Sequence, residues 1–511
     1  MNNINKTFSV KSFLVWACLI TTTSILCAQF PKREFRGTWI HTVGNRVYQN
    51  MNPDQMRSHY VSLLDSFERA GMNAVIFQIR PQADAFYINS LEPWSRFITG
   101  TQGVAPNPIW DPLQFMIDQC HSRGMELHAW LNPYRVTSSA SEQLHPSHLF
   151  FKRPDLFVKY GDQLYFDPGE PDSRAHTLAV ISDIVTRYDV DGIHFDDYFY
   201  PYRVEYQEFP DEASFLKYHT QQGFGRYEKN DWRRNNVNIL VKQLSDTIKA
   251  IKPWVKLGIS PFCVWRNART DSLGSQTNTA QTNYDDLFAD ILLWVKEGWI
   301  DYNAPQLYYS IGHRTASYEP LIDWWSKNNY GVQLYLGQSL SSLIDTRMAD
   351  GTVEQQLHRK MKMMRITPNV HGNIWWSGYG LASNPNGIID SLANSYQKYP
   401  SLIPAYIHID STPPGAAKNL KVIRSRGVTR LVWQAPSAAT EMDKAVRYCV
   451  YRFEPKETFH LENAEKIVKI TGKNEYIIPA KKENKEYLYV VTALDRMWNE
   501  SGVSNGVRVK H

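Results

Sequence analysis

Short apolar runs alternate with longer amphipathic stretches from about residue 35 to residue 400. The amphipathic stretches 56–70 and 112–123 are each followed by a glycine, where helices commonly end. Eight strands alternating with helices predict an α/β fold that closes into a (β/α)8 barrel, also called a TIM barrel. An open doubly wound sheet is the alternative, but no glycine-rich nucleotide turn follows the first run. The eight runs typical of buried strands are 35–41, 73–81, 126–135, 192–201, 256–262, 302–310, 332–339 and 372–380.

The pattern changes after residue 409, where short alternating runs with intervening turns predict an all-β sandwich. The segment Y-x-Y-x-V-x-A that begins at Tyr487 places its apolar side chains on one strand face. With its Pro-Pro start and Trp433 in the core, this part resembles a fibronectin type III module. We therefore expect a barrel domain over 29–408 and a fibronectin type III-like domain over 409–511. Such modules are mostly spacers or docking surfaces, here for the cell envelope, and we assign this one no chemistry.

The first 28 residues have the pattern of a secretory signal peptide. Two lysines precede an apolar run over 13–26, and Ala28 offers a small residue at the cleavage site. Cys27 raises the question of a lipoprotein, but Leu26 stands where a small residue is expected. A periplasmic or secreted protein is the prediction. No later apolar run is long enough to span a bilayer.

Composition narrows the class of partner. The net charge of +5 is small for 511 residues and is spread along the chain, whereas nucleic-acid binding needs a clustered basic face. Aromatic residues make up 13% of the chain, and sugar sites use such rings as flat apolar platforms, although a large barrel core also needs them. The scattered Cys120, Cys263 and Cys449 form no CxxC pair, so we expect neither a disulfide framework nor a zinc site. No cofactor or metal is expected.

Polar side chains collect toward the C-terminal ends of the predicted strands. In the fourth run, Ile193 and Phe195 suit packing against the helices, which directs His194 and Asp196 into the barrel. Buried polar groups need partners, and the C-terminal mouth is where barrel enzymes hold their chemistry. We therefore expect these side chains to meet in one pocket. The same alternation directs inward Gln78, Arg80, His128, Asn132, Gln306 and Tyr308.

Three aspartates near strand ends are candidates for acid–base chemistry. Glycoside hydrolysis uses two carboxyl groups that flank the scissile bond. Asp196 is the first choice because of its inward direction, Asp197 begins the following loop, and Asp84 follows the second run. The structural alternative for the pair is loop capping or salt bridging. Since the pair ends a buried strand and three tyrosines follow it, we favour catalysis by Asp196 and Asp197 with Asp84 assisting.

Other candidates bind substrate. A guanidinium at a strand end binds a carboxylate bidentately, which can belong to a catalytic aspartate, to an acidic sugar or to a structural salt bridge. The histidines lack the spacing of a zinc motif, so hydrogen bonds to sugar hydroxyls or to aspartate are the better interpretation. Of the two tryptophans that end the eighth run, one faces the core and the other can stack on a sugar. The remaining candidates are His41, Tyr134, Arg135, Tyr198, Arg266, Gln338, Trp375 and Trp376.

Several segments at these strand ends resemble the bacterial glycosyl-hydrolase-like family 10 domain. They are FRGTWIHTV, FQIRPQADAFY, HAWLNPYR, DGIHFDDYFYP, SPFCVWRN, APQLYYS and LGQS, in that order, between about 35 and 400. The resemblance implies a barrel glycosidase of the cell envelope, whose members have been linked to cleaving peptidoglycan glycan strands stripped of their stem peptides. It also implies acidic roles for Asp84, Asp196 and Asp197.

Three hypotheses follow for the function. The first is hydrolysis of a β-linked amino-sugar polymer, most readily peptidoglycan glycan strands. The second is a glycosidase for a dietary, host or capsular polysaccharide. The third is a glycan-binding protein that kept the barrel and lost turnover, but such a protein would lack carboxylates at the mouth, and they are present here.

Overall fold

The computed structural model describes residues 30–344, 346–347, 353–480 and 485–511. The predicted signal segment 1–28 therefore lies outside the described residues. Among the helices that the model does describe, none combines the length and the apolar character needed to cross a membrane.

Parallel strands close into an eight-stranded barrel, which confirms the predicted fold. Each strand pairs with its sequence neighbours in the barrel, and the first strand pairs with the last, from Phe35 opposite Gly372 to Thr38 opposite Trp375. Most of these strands are shorter than the apolar runs because the chain leaves the sheet for the loops of the mouth. The strands are β1 Phe35–Ile40, β2 Ala74–Arg80, β3 Glu126–Leu131, β4 Gly192–Phe195, β5 Lys256–Ile259, β6 Tyr302–Asn303, β7 Gln333–Ser339 and β8 Gly372–Trp376.

Helices cover the outside of the barrel. The first long helix begins with a capping box, in which the side chains of Asn52 and Gln55 each accept from the other's backbone N–H, and Pro53 is its first residue. Asp111 caps the helix that begins at Pro112, because its side chain accepts from the backbone N–H of Gln114. The longer helices are Pro53–Arg69, Pro112–Ser122, Pro171–Arg187, Glu212–Tyr218, Lys229–Ile251, Ile291–Lys296, Tyr318–Lys327 and Leu357–Ile366, and the shorter ones are Arg96–Thr99, Asn283–Asp286, Ser341–Ile344, Gly378–Ala382 and Ile388–Ser391.

The alternation of side chains along the strands separates two cores, as predicted. In β2, Val75 and Phe77 pack in the cluster shared with the helices, whereas Ile76 belongs to the cluster inside the barrel. Glycine makes room for rings in that interior: a Cβ placed on Gly258 would lie 1.9 Å from a ring carbon of Tyr302. The interior is therefore built around close backbone approach to aromatic side chains.

The C-terminal part is all-β, with two antiparallel sheets. Trp433 and Tyr487 both lie in the core cluster of this domain, which agrees with their predicted positions. Its likeness to fibronectin type III stays a prediction. One sheet contains Lys418–Ser425, Val428–Gln434 and Glu475–Ile478, and the other contains Arg447–Phe453, Ile467–Thr471, Glu486–Leu494 and Val507–Lys510; a separate hairpin, Phe157–Tyr160 with Gln163–Phe166, stands between β3 and β4.

Buried polar contacts join the C-terminal domain to the N-terminal end of the barrel. Arg447 donates to Asp191 at 2.6 Å, and both side chains are at most 3% exposed. The indole N–H of Trp498 donates to Glu126, the first residue of β3, at 2.7 Å. Lys256, the first residue of β5, reaches the same carboxylate at 2.5 Å. The domain thus closes the floor of the barrel, a role that its sequence pattern as a spacer or docking module did not predict.

The Arg447–Asp191 pair makes a measurable contribution to stability. Replacing Arg447 by Met leaves the buried Asp191 carboxylate without its guanidinium, so we expect the free energy of unfolding to fall by about 3–5 kcal/mol. Urea unfolding followed by tryptophan fluorescence measures this change. Arg430→Met is the matched control, since its pair with Glu475 is about 40% exposed on both sides, and we expect less than about 1 kcal/mol. Equal unfolding midpoints for the two variants would contradict the docking role of Arg447.

Candidate active site

A pocket of about 300 Å³ opens at the C-terminal end of the barrel strands. Its wall contains one carboxylate and is otherwise aromatic or neutral, a composition typical of sites that bind uncharged rings through a few directed hydrogen bonds. Five of its residues belong to the sequence-predicted set. The lining residues are Trp39, Trp130, Asp196, Tyr198, Tyr202, Ser260, Gln306, Tyr308 and Trp376.

Asp196 is the carboxylate in this wall, directly after β4. One oxygen accepts from the side-chain amide of Asn132 at 3.1 Å, and the other accepts from the indole N–H of Trp130 at 3.2 Å. Burial raises the pKa of Asp196, while Arg135 and these two donors oppose the rise. Hydrogen bonds from neutral donors stabilise the ionised form and fix its orientation. Asp196 is therefore a fixed carboxylate that faces the pocket.

Asp197 is the next residue in the chain and is also buried. Its carboxylate accepts from the hydroxyl of Tyr202 and interacts with Gln306, both of which line the pocket. Burial raises the pKa of Asp197 to about 7, and the adjacent negative charge of Asp196 adds to the rise. Hydrolases divide acid and base roles between two neighbouring carboxyl groups, and here both groups have a raised pKa.

A column of hydrogen bonds runs along the barrel axis beneath the pocket. His128 contacts Glu126 through Nε2 at 2.8 Å and the hydroxyl of Tyr302 through Nδ1 at 2.8 Å. Tyr302 contacts Nδ1 of His194 at 2.8 Å, and Nε2 of His194 lies 2.9 Å from the hydroxyl of Ser260 in the pocket wall. The column thus connects the floor of the barrel to the site.

The hydrogen bonds of this column can be donated in only one direction, from the pocket toward the floor of the barrel. The indole N–H of Trp39 can only donate, and it points at Nε2 of His194 at 3.2 Å, so this nitrogen carries no proton. His194 therefore donates from Nδ1 to Tyr302, Tyr302 donates to His128, and His128 donates to Glu126. Burial holds the pKa of His194 well below its usual range, consistent with a neutral ring. Lys256 keeps the carboxylate at the end of the column ionised, with a pKa of about 2 for Glu126 despite its burial.

Aromatic rings form the sides of the pocket. The ring centroids of Trp376 lie 6.4 Å from Trp39 and 6.1 Å from Trp130, with the planes at steep angles. Tyr308 meets Trp39 edge to face at 6.4 Å. Such a box offers flat apolar faces and polar edges to a sugar ring.

The structure places Asp84 in a different environment. Its side chain is fully buried, and one oxygen has no hydrogen-bond partner while the other accepts weakly from Gln102 at 3.4 Å. Burial raises the pKa of Asp84 to about 6, opposed by Gln102 and Ser95. Of the three predicted aspartates, only Asp196 lines the pocket. Asp197 contacts the wall through the hydroxyl of Tyr202, and Asp84 is not part of it.

Arg80 and Gln78 hold the backbone around the site. Arg80 makes two hydrogen bonds with Glu92, at 2.8 and 2.6 Å, and also donates to the carbonyl oxygen of Asn132. The side-chain oxygen of Gln78 accepts from the backbone N–H groups of residues 42 and 43. Both side chains are fully buried, so their contacts fix the loops after β1 and β3.

Arg135 and Arg266 differ in their partners. Arg266 is held by Asp285 and Asp271, at 2.9 and 2.7 Å, as a salt bridge within its own loop. Arg135 donates from Nε to the carbonyl oxygen of Pro81 and lines a second pocket. Arg266 thus forms the structural salt bridge that the sequence left open as an alternative to substrate binding, whereas Arg135 lies beside the candidate site.

The other predicted residues lie around or below the pocket. His41 lies behind Trp376, with ring centroids 5.0 Å apart, while Tyr134 and Trp375 are buried in the outer core. Gln338 donates to the hydroxyl of Tyr318 and to Asn373. Within the described ranges, no three His, Cys, Asp or Glu side chains are grouped to hold a metal ion.

Sequence reasoning missed four residues of the wall: Trp39, Trp130, Tyr202 and Ser260. Trp130 has the same strand parity as His128 and Asn132, so alternation alone gives its inward direction. Tyr202 follows the aspartate pair by a few residues, but its return to Asp197 depends on the loop. Nothing in the sequence marks Ser260, whose role follows from its contact with His194.

The pocket continues into a groove. A second cavity of about 410 Å³ shares Tyr198 and Tyr202 with it, and a third of about 680 Å³ shares Tyr160 and Val204 with the second. Three adjoining cavities give the mouth an elongated shape.

Comparisons with known proteins point to one family. The family model of glycosyl hydrolase-like 10 matches residues 34–351, more than half of the chain. Glycosyl hydrolase YngK of Bacillus subtilis (strain 168) is 40% identical over 97% of this chain and 98% of its own length. Glycosyl hydrolase DigH of Escherichia coli (strain K12) is 34% identical over 68% of this chain and 83% of its own length.

Among solved structures, the glycoside hydrolase domain of PgaB (BpsB) from Bordetella bronchiseptica aligns with 71% of this chain and 98% of its own length, at 10% identity and a TM-score of 0.46. The α-amylase of Geobacillus thermoleovorans aligns with 94% of this chain and 97% of its own, at 13% identity and a TM-score of 0.41. The family match and the two relatives, together with the carboxylate pair at the mouth of the barrel, lead to one conclusion: this chain belongs to the glycosyl hydrolase-like 10 family and is a glycoside hydrolase.

Proposed function

We propose that this protein hydrolyses the glycan strands of peptidoglycan outside the cytoplasm, with Asp196 and Asp197 as its acid–base pair. The observation that carries the proposal is the pair itself: a fixed carboxylate in an aromatic pocket, next to a carboxyl group whose pKa is about 7. A glycosidase needs one carboxyl group that donates a proton and one that is ionised.

The two aspartates divide these roles. With a pKa of about 7, Asp197 is partly protonated at neutral pH, and its protonated form donates to the oxygen of the leaving sugar. Asp196, oriented by Trp130 and Asn132, is the ionised carboxylate that stabilises positive charge at the anomeric carbon or activates water. The rings of Trp39 and Trp376 hold the sugar flat against these groups.

The shape of the mouth favours a polymer. Because the three cavities share walls, a chain of sugars that enters the pocket at Asp196 can extend past Tyr198 and then past Tyr160. The resemblance to envelope glycosidases points to peptidoglycan strands as that polymer. The signal-like segment 1–28 supports secretion to the periplasm or the medium, and the fibronectin type III-like C-terminal domain can serve as a docking surface there.

Substrate choice is tested by incubating the purified protein with three classes of polymer. We expect product release from peptidoglycan glycan strands freed of stem peptides, detected by chromatography with mass spectrometry. Plant and host polysaccharides should release little or nothing under the same conditions. Cleavage of one of those polymers instead would overturn the substrate assignment. If no glycan released a product, the proposal that the protein is a hydrolase of polysaccharides would be wrong.

Converting Asp196 to Asn is expected to reduce kcat by at least about 1000-fold, because an amide neither carries the negative charge nor accepts a proton. Initial rates of strand hydrolysis measure this loss, and circular dichroism checks that the fold is intact. Asp167→Asn is the matched control: Asp167 is also buried with a raised pKa, but it lies outside the pocket wall. Near-normal activity of the Asp196 variant would refute the assignment.

The pH profile tests Asp197. If Asp197 is the acid, activity falls as the pH rises through about 7, because the proton to be donated is lost. The Tyr202 hydroxyl stabilises the ionised form, so Tyr202→Phe raises the pKa of Asp197 and moves the basic limb of kcat/KM up by roughly one pH unit. Tyr200→Phe serves as the control, since its hydroxyl contacts Asp211 instead. An unmoved basic limb in the Tyr202 variant would argue against Asp197 as the acid.

A further inference from the structure

Arg135 lines the second cavity beside Tyr198, a residue that this cavity shares with the catalytic pocket. It follows β3, is half-buried, and is fixed in place by a hydrogen bond of 3.1 Å from Nε to the carbonyl oxygen of Pro81. Its guanidinium carbon lies 5.3 Å from the ring centroid of Tyr198. Across the described part of the chain, Arg135 has no salt-bridge partner within 4 Å, whereas Arg80 and Arg266 both have one.

The nearest catalytic carboxylate does not neutralise this charge. Asp196 is already held by Trp130 and Asn132, and Arg135 acts on it only through space, where it lowers the pKa. The terminal nitrogens of Arg135 therefore remain available to the second cavity, which it lines together with Tyr165 and Tyr202. Backbone pairing between Arg135 and Tyr165 ties this wall to the hairpin.

The surroundings of Arg135 suit an acidic sugar. A planar guanidinium with a fixed Nε presents its remaining donors as a fork that matches a carboxylate. The rings of Tyr165, Tyr198 and Tyr202 provide the apolar surface that a sugar ring needs beside it. Asp162 also lines this cavity, but its side chain is exposed, where solvent screens its charge.

We propose that the second cavity is a subsite for a sugar that carries a free carboxylate, and that Arg135 binds this carboxylate. The inference rests on the proposed function and deepens it. In a glycan strand stripped of stem peptides, alternate sugars carry a lactyl ether whose carboxylate is free. In a strand that keeps its peptides, the same group is a neutral amide with a bulky substituent. Arg135 then selects stripped strands.

The test compares two forms of one substrate. Stripped glycan strands are used as such or after the lactyl carboxylates have been coupled to methylamine, which removes the charge and adds little volume. We expect the unmodified protein to have a KM about tenfold lower for the free form, the size of one charge-assisted hydrogen bond. Arg135→Gln should remove this preference, so that its two KM values become equal. Because Arg135 also lowers the pKa of Asp196, the kcat of this variant is compared between its two substrate forms and not with the unmodified protein.

Two further variants separate geometry from charge and position. Arg135→Lys keeps the charge without the fork, and we expect it to recover only part of the preference. Arg266→Gln removes a guanidinium that is already paired, and we expect the ratio of the two KM values to stay as in the unmodified protein. Hyaluronan oligosaccharides, whose carboxylate belongs to a uronic acid, are added as competitors in a separate experiment. If Arg135 binds the lactyl group, we expect no competition at matched concentration.

The outcomes are distinct. Equal KM values for free and amidated strands, or a preference that survives in Arg135→Gln, would overturn the subsite while the cleavage itself upholds the proposed function. Cleavage of neither form would overturn the proposed function and the lactyl subsite with it. Competition by hyaluronan oligosaccharides that is lost in Arg135→Gln would keep the carboxylate subsite and reassign its ligand.

Discussion

The polar column inside the barrel is the constraint on which the site depends. Barrel interiors are ordinarily filled by branched apolar side chains, and each buried polar group without a partner costs about 1–3 kcal/mol. Here Glu126, His128, Tyr302 and His194 satisfy one another in a single donor direction, from the indole of Trp39 down to the ionised floor. The floor in turn needs Lys256 and residues of the C-terminal domain. The aromatic wall around Asp196 therefore depends on a chain of buried hydrogen bonds that runs from the pocket to the floor of the barrel.

The fold was predictable because its signals are local. The period of two in β2 and β4 separates Phe77 and Phe195, which face the helices, from Gln78 and His194, which face inward. Contacts between distant segments left no such signal. The salt bridge between Arg447 and Asp191 joins residues 256 positions apart, and neither of the two sequence contexts indicates the other. For this reason, the all-β character of the C-terminal domain could be predicted, whereas its place beneath the barrel could not.

The site was predictable only in part, for the same reason. Strand parity identified Asp196 and Asn132, whose contact follows from neighbouring strands. Asp84 has the same polar context in sequence, but the loop after β2 turns its carboxyl group into a buried cluster with Gln102. The roles of the arginines depended on loops as well, since the partners of Arg266 lie up to 19 residues away in the chain. Loop geometry, and not residue type, decided which polar side chains reached the pocket.

Tyr202 has one further consequence. Its ring separates the catalytic cavity from the neighbouring one, and its hydroxyl is bonded to the carboxyl group that we assign as the acid. An occupant that displaces this ring from either side also alters how firmly that proton is held. One side chain then links the length of the bound glycan to proton donation. The pKa of Asp197 differs between an enzyme whose two cavities are both filled by an oligomer and one in which a fragment fills a single cavity.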